Sequence, residues 1–403
     1  MKSANQKKSI WTTLFILLTV LSLLVSCVGC ASFSFLPNFG GGTGVTPDTE
    51  GDGSIPAVTP PTTQPTMHYD PYTGLACDEA ILSCRPISVC IGNFDEKRQE
   101  GLSFADILIE APIEGDKTRL WAIFTDTART STLSSVASVR DYMMPAIGAF
   151  GAIAAYAGTT DTVGTSATPY AGDHLDYFYH NLSSTFQKDP TGQLSTSASA
   201  LLSAARAMGY SVTRPSLSLP YTFPAQATTY TPTSNTIRTV SFRYSLANTV
   251  SFSYSDTDGL YYREQGGSAH TDALTGEQLA FSNILLLFHN VSYYHTSNET
   301  SFSLDTQSGG DGYFYTGGGM IPIHWRYASD GSLSVTDDAG THITANRGKT
   351  YIGMLRITDS PSLLANSQFS AYLAKGMRFL RYKQSVSKTL NISKTPCPIC
   401  PKS

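Results

Sequence analysis

Residues 85–124 read RPISVCIGNFDEKRQEGLSFADILIEAPIEGDKTRLWAIF, and this stretch limits the fold more than any other. Three short apolar runs, at 87–91, 105–110 and 119–125, are each bounded by Gly, Pro or acidic turn residues, which predicts three strands. The runs at 107–109 and 120–124 are apolar without alternation, as expected of strands covered on both faces. Asn93, Gln99, Asp106, Glu110, Glu114 and Arg119 are interleaved with them. That is more polar chemistry than a core segment needs, so these residues are the first candidates for a site.

Charged residues make up only 14% of the 403 positions, against roughly 25% in an average soluble protein. The net charge of -4 gives no basic footprint, which argues against a nucleic-acid partner. The N-terminus points to the compartment. Lys2, Lys7 and Lys8 precede an apolar run at 10–25, short of the roughly 20 residues a spanning helix needs. Leu24-Val25-Ser26-Cys27 then offers a small residue before a cysteine, so residues 1–26 read as a lipoprotein signal with Cys27 as the lipidated residue. The alternative is an uncleaved anchor helix. Residues 27–67 are rich in Gly, Pro, Thr and Ser and read as a tether with a reach of roughly 35 Å. The expected location is the extracytoplasmic face of the cell membrane, with the membrane itself the first partner. In that compartment Cys77, Cys84 and Cys90 allow one local disulfide. Cys397-Pro-Ile-Cys400 has redox spacing but lacks the strand-to-helix context of a redox motif.

Helical material is expected after the third strand. Ser138 followed by Asp141 fits a capping box, and Pro145 either stops a helix begun at 138 or starts a new one. Arg140 in such a first turn would oppose the helix dipole and need an anion, either Glu110 or Glu114 or a ligand. Residues 151–158 read as a small-residue strand. The segment 197–208 reads as an Ala-rich helix closed by Gly209. Asp173, His174 and residues 176–180 alternate with aromatics, give no clear metal-ligand face and read as a surface aromatic cluster. Four prolines mark 213–236 as a linker, after which alternation at 240–254, an Asp258-Gly259 turn and an apolar run at 284–288 predict a β-rich region. The chain therefore divides into a signal at 1–26, a tether at 27–67, an α/β N-terminal domain at 68–212 and a linker at 213–236. A β-rich C-terminal domain at 237–358 and a basic extension at 359–403 follow.

Tyr72-Thr73-Gly74-Leu75, Arg85-Pro86, Ile91-Gly92-Asn93, Gly101-Leu102, Ala105-Asp106-Ile107, Glu110, Glu114-Gly115 and Thr118-Arg119 occur in this order. With YYREQGGSAHTD at 261–272, they resemble the YerB-type lipoprotein family of Gram-positive bacteria. The resemblance implies two joined domains and no established activity. It also implies an Arg-Ser-x-Arg turn where this chain has Ala137-Ser138-Val139-Arg140, so only the second arginine is kept.

The candidate ligand-binding or interdomain cluster is Asn93, Asp106, Glu110, Glu114, Arg119, Ser138, Arg140, Arg263, His270, Asp272 and Asn283. No catalytic, metal or cofactor set is assigned. Glu110 and Glu114 on one strand would lie about 13 Å apart, beyond the roughly 5–9.5 Å of glycosidase pairs. His270 and Asp272 share a face if extended and would form a loop-fixing pair. The leading expectation is a membrane-anchored binding or adaptor module that meets envelope-synthesis proteins or anionic wall polymers. The alternatives are an envelope glycan or peptide hydrolase using Asp106, Glu110 or Glu114 with His270, and an anionic-solute binder using Arg119 and Arg140. From Ser360 onward there are seven Lys or Arg and no acid, which leaves all 31 acidic residues in the body before it. Leu373, Met377 and Leu380 suit an interfacial or partner-docking helix there, the alternative being a solvated tail.

Overall fold

The structure, a computed structural model, describes residues 67–93, 98–160, 172–225, 229–232, 237–295 and 300–359. The signal segment, Cys27, the tether before Met67, parts of the linker and the basic extension with its Cys397 and Cys400 lie outside these residues.

The predicted strands form as Ile87–Asn93, Ile107–Pro112 and Thr118–Phe124. Every residue in them is buried, because apolar side chains on both faces meet cores. In Thr118–Phe124, Leu120, Ala122 and Phe124 enter one core and Trp121 and Ile123 the other. The three strands pair antiparallel. They sit within a 13-stranded mixed sheet that also takes in Asn283–His289, Gly310–Thr316, Gly319–Tyr327, Leu333–Thr336 and Thr350–Arg356. The junction is a parallel pairing of Thr350–Arg356 with Ile107–Pro112, in which Gly353 stands opposite Glu110. One sheet thus holds strands from both halves of the chain. A second sheet, of five strands, is built on Thr239–Arg243, Thr249–Ser255 and Leu260–Gln265. Its Val240, Phe242, Phe252 and Tyr261 share a core with Leu108, Leu120 and Tyr351 of the large sheet.

The fold is mostly β, and the helical layer expected in the N-terminal half is thin. Its longest described helix, Ala198–Ala207, has ten residues. Ser197 accepts a hydrogen bond from the Ala200 amide at its start, and Gly209 takes the left-handed conformation just beyond its end. Ser197→Ala should cost about 1 kcal/mol, read as a lower thermal midpoint with the fold unchanged.

No helix begins at 138. Val139–Arg140 is a two-residue strand paired parallel to Thr159–Thr160. Arg140 is extended at the entrance of the turn Asp141–Met143, and the Ser138 hydroxyl caps nothing. Pro145 instead opens the one-turn helix Met144–Gly148, so it starts an element and stops none. The local disulfide is not formed; Cys77, Cys84 and Cys90 are free thiols.

In the linker, Tyr221 is buried with its hydroxyl donating to the Tyr72 carbonyl, and the Tyr230 amide donates to Asn346. These described parts of 213–236 are laid against the body.

Candidate functional site

The candidate residues separate into a sealed network and a shallower arginine cluster. Glu110 points from Ile107–Pro112 towards the five-stranded sheet and is 0% exposed. Its Oε2 accepts from Arg263 Nη2 at 2.7 Å and from the Tyr351 hydroxyl at 2.7 Å. Its Oε1 accepts from Thr118 Oγ1 at 2.7 Å and from Asn93 Nδ2 at 3.0 Å. Four donors from four strands thus fill both oxygens. Tyr244 closes the network, its hydroxyl donating to the Glu110 carbonyl at 3.1 Å. Burial and the neighbouring Glu110 hold the Tyr351 phenol well above its ordinary range.

Arg263 is equally buried and also donates through Nη1 to Gln265 Oε1 at 3.0 Å and to His270 Nδ1. Because a guanidinium only donates, His270 Nδ1 must accept, which places the ring proton on Nε2. Nε2 faces Gln99 Oε1 at 2.6 Å, an acceptor, so both contacts are satisfied by the neutral tautomer. Burial, and then the Arg263 charge, keep this imidazole neutral by lowering its pKa well below the usual value.

His270 and Asp272 do not pair. The chain leaves strand geometry after Ser268–Ala269, and Asp272 turns to accept from the Gly101 and Ser103 amides at 3.0 and 2.7 Å. It thereby holds the 99–103 segment against the C-terminal half. Asn283 bridges Thr316, Asn346 and Thr350 inside the large sheet. Asp106 accepts from the Thr125 amide and hydroxyl, both at 2.8 Å, and burial raises its pKa. The same hydroxyl reaches Asp70, which sequence reasoning passed over. Tyr351, Tyr244 and Gln265 were also missed: inside TYIGMLR and alternating strands a tyrosine reads as core packing, and nothing local marks it as a donor.

The second cluster lies on the opposite face of the sheet. Arg140 contacts Glu114 through Nε at 2.8 Å and Nη2 at 2.7 Å, so its anion is Glu114 and not Glu110. Arg119 donates from Nε to the Ser138 carbonyl at 2.9 Å. Arg119 Nη2 and Arg140 Nη1 both approach the Ser138 hydroxyl oxygen, at 3.3 and 3.5 Å. Cys90 and Tyr142 border the cluster. Burial pushes the Cys90 thiol up to about 12 and the Tyr142 phenol well above its usual range, so both stay neutral.

Elsewhere, His174 stacks on Tyr156 with ring centroids 5.9 Å apart, while Phe178 and Tyr179 are exposed. Among the described residues no group of three or more His, Cys, Asp or Glu is placed to hold a metal.

This architecture belongs to a two-part family. Residues 72–211 match the N-terminal domain, and residues 240–352 the C-terminal domain, of the family described as "Protein of unknown function (DUF3048)". The chain belongs to that family. It is 27% identical over 297 residues to the protein of Bacillus subtilis (strain 168) named "Putative lipoprotein YerB", covering 73% of this chain and 88% of that one. The crystal structure of YerB protein from Bacillus subtilis superposes with a TM-score of 0.62 at 26% identity, over 73% of this chain and 99% of that one.

Proposed function

We propose that the protein is a binding or adaptor module held at the extracytoplasmic face of the cell membrane by lipid on Cys27. The observation that carries this reading is the commitment of the candidate catalytic groups to internal partners. Glu110 is saturated by four donors, Glu114 is engaged by Arg140, and the neutral His270 is sealed between Arg263 and Gln99. General acid–base chemistry needs a carboxyl or imidazole within reach of a substrate proton, whereas Glu110 ties the two sheets together, His270 is held between Arg263 and Gln99, and Glu114 holds Arg140. A folded body on a lipid tether suits recognition near the membrane, and the name of the B. subtilis relative supports the anchor.

Palmitate should label the full chain in cells, and Cys27→Ala should abolish both the label and membrane retention; a retained label would overturn the anchor. The released Cys27→Ala chain should bind isolated cell envelopes saturably while freeing no soluble wall fragments. Release of fragments that is lost in Glu114→Gln would overturn the binding reading in favour of hydrolysis.

A further inference from the structure

The strand Thr350–Arg356 closes on Arg356, whose guanidinium ties three segments together. Its Nη2 donates to the Tyr244 carbonyl, its plane lies over the Phe302 ring at 5.6 Å, and the Tyr293 hydroxyl faces it. Beside these contacts stand three exposed apolar side chains: Leu246, two positions beyond Tyr244, Tyr293 itself, and Ile357, at 91%, 51% and 39% exposure. Leu246 sits on a turn closed by the Asn248 amide donating to the Ser245 hydroxyl at 3.1 Å, so its exposure is built into the turn. The chain then doubles back. The Asp359 amide donates to the Arg356 carbonyl at 2.8 Å, and the Asp359 carboxylate accepts from Arg356 Nε at 2.8 Å and from the Arg356 amide at 3.1 Å. The point from which residue 360 departs is therefore pinned next to Arg356.

Residues 360–374, outside the described part of the chain, read SPSLLANSQFSAYLA and carry no charge; all seven Lys and Arg of the extension come after them. Leu363 is four positions past Asp359, so even a fully extended chain takes it no more than about 14 Å away. Leu363 and Leu364 are thus confined to the neighbourhood of the exposed side chains, at an effective concentration on the order of millimolar. Apolar groups held this close leave water by covering each other. A second copy of the chain fits less well, because three side chains fall far short of the roughly 800 Å² per partner of a stable interface. A segment of the same chain needs less area, since the entropy of bringing it there is already spent.

We propose that residues 363–369 of this chain dock on the surface formed by Leu246, Tyr293 and Ile357, with Leu363, Leu364 and Phe369 as the contact residues. The uncharged start of the extension is then the part that binds the body, and the basic residues from Lys375 onward depart from a set point. The occupant lies past residue 352, where the C-terminal family match ends, and the contact does not rest on the binding-module reading.

Hydrogen exchange read by mass spectrometry tests the contact from both sides, in the full chain carrying Cys27→Ala so that no lipid or detergent competes. Joint replacement Leu363→Ser, Leu364→Ser and Phe369→Ser should speed exchange several-fold at 244–248 and 291–294 and leave Ile87–Asn93 unchanged. Leu246→Ser, at a side chain that packs in no core, should speed exchange at 362–370 in return. That reciprocity separates docking from a general loss of stability. Exchange that is the same in all three chains would overturn the proposal. So would protection that rises with protein concentration together with a dimer in sedimentation that Leu246→Ser abolishes, which would make the occupant a second copy. Protection at 362–370 that appears only on adding phosphatidylcholine vesicles would overturn it as well, and would assign the apolar segment to the membrane.

Discussion

Glu110→Gln should lower the unfolding free energy of the full chain by about 3–5 kcal/mol, because it leaves the Arg263 guanidinium buried without its counter-charge. Arg263 has little to fall back on. It is 0% exposed, its Nε already lacks a hydrogen-bond partner, and its remaining Nη1 contacts are to the neutral Gln265 and His270. Arg263→Met should be costly in the same way, stranding the carboxylate between Tyr351, Thr118 and Asn93. Glu110→Leu combined with Arg263→Met removes both charges and should cost far less than the two single changes added together. Guanidinium denaturation followed by fluorescence measures all of these. Trp121 reports on the N-terminal half and Trp325 on the C-terminal half, and the parallel pairing of Ile107–Pro112 with Thr350–Arg356 should make both shift together. A loss below about 1 kcal/mol in Glu110→Gln would show that the pair is not the strut described.

How much of this was legible in the sequence follows from the range of each interaction. Strands betray themselves locally, so the apolar runs at 107–109, 120–124 and 284–288 located the centre of the large sheet and their lack of alternation foretold burial on both faces. The Asp258-Gly259 turn and the helix capped by Ser197 are local signals too, and both form. What joins distant segments leaves no local trace. Glu110 and Arg263 are 153 positions apart, and each looks the same in sequence whether it faces water or its partner. Local spacing misled at His270 and Asp272, which share a face only on a strand that the chain has already left. It misled again at Ser138, where pairing of Val139–Arg140 with Thr159–Thr160 overrides a helix start. Gly92 stands opposite Arg119 across the sheet, and only that register sets a second guanidinium near Arg140.

Lowering the pH from 6.5 to 4 should destabilise the fold, with His289 responsible for about 3 kcal/mol of the loss. His289 is fully buried against Trp325, with ring centroids 4.3 Å apart, and Nδ1 donates to the Leu287 carbonyl at 2.9 Å. Burial lowers its pKa from 6.5 to about 4. Below pH 6.5 the unfolded chain therefore takes a proton that the folded chain refuses, and stability falls until the folded imidazole titrates as well. His270, lowered by burial and by Arg263, acts in the same direction. Asp106 opposes them at the acid end: its raised folded pKa means that the folded chain is protonated first, which returns some stability as the pH approaches 3.8. His289→Asn keeps a polar side chain but cannot titrate. Whatever it costs at pH 7, its denaturation midpoint should vary less between pH 6.5 and 4 than that of the native chain. An unchanged slope would assign the acid sensitivity to His270 and the other groups, and would mean that the ring packed on Trp325 is reached by protons without unfolding.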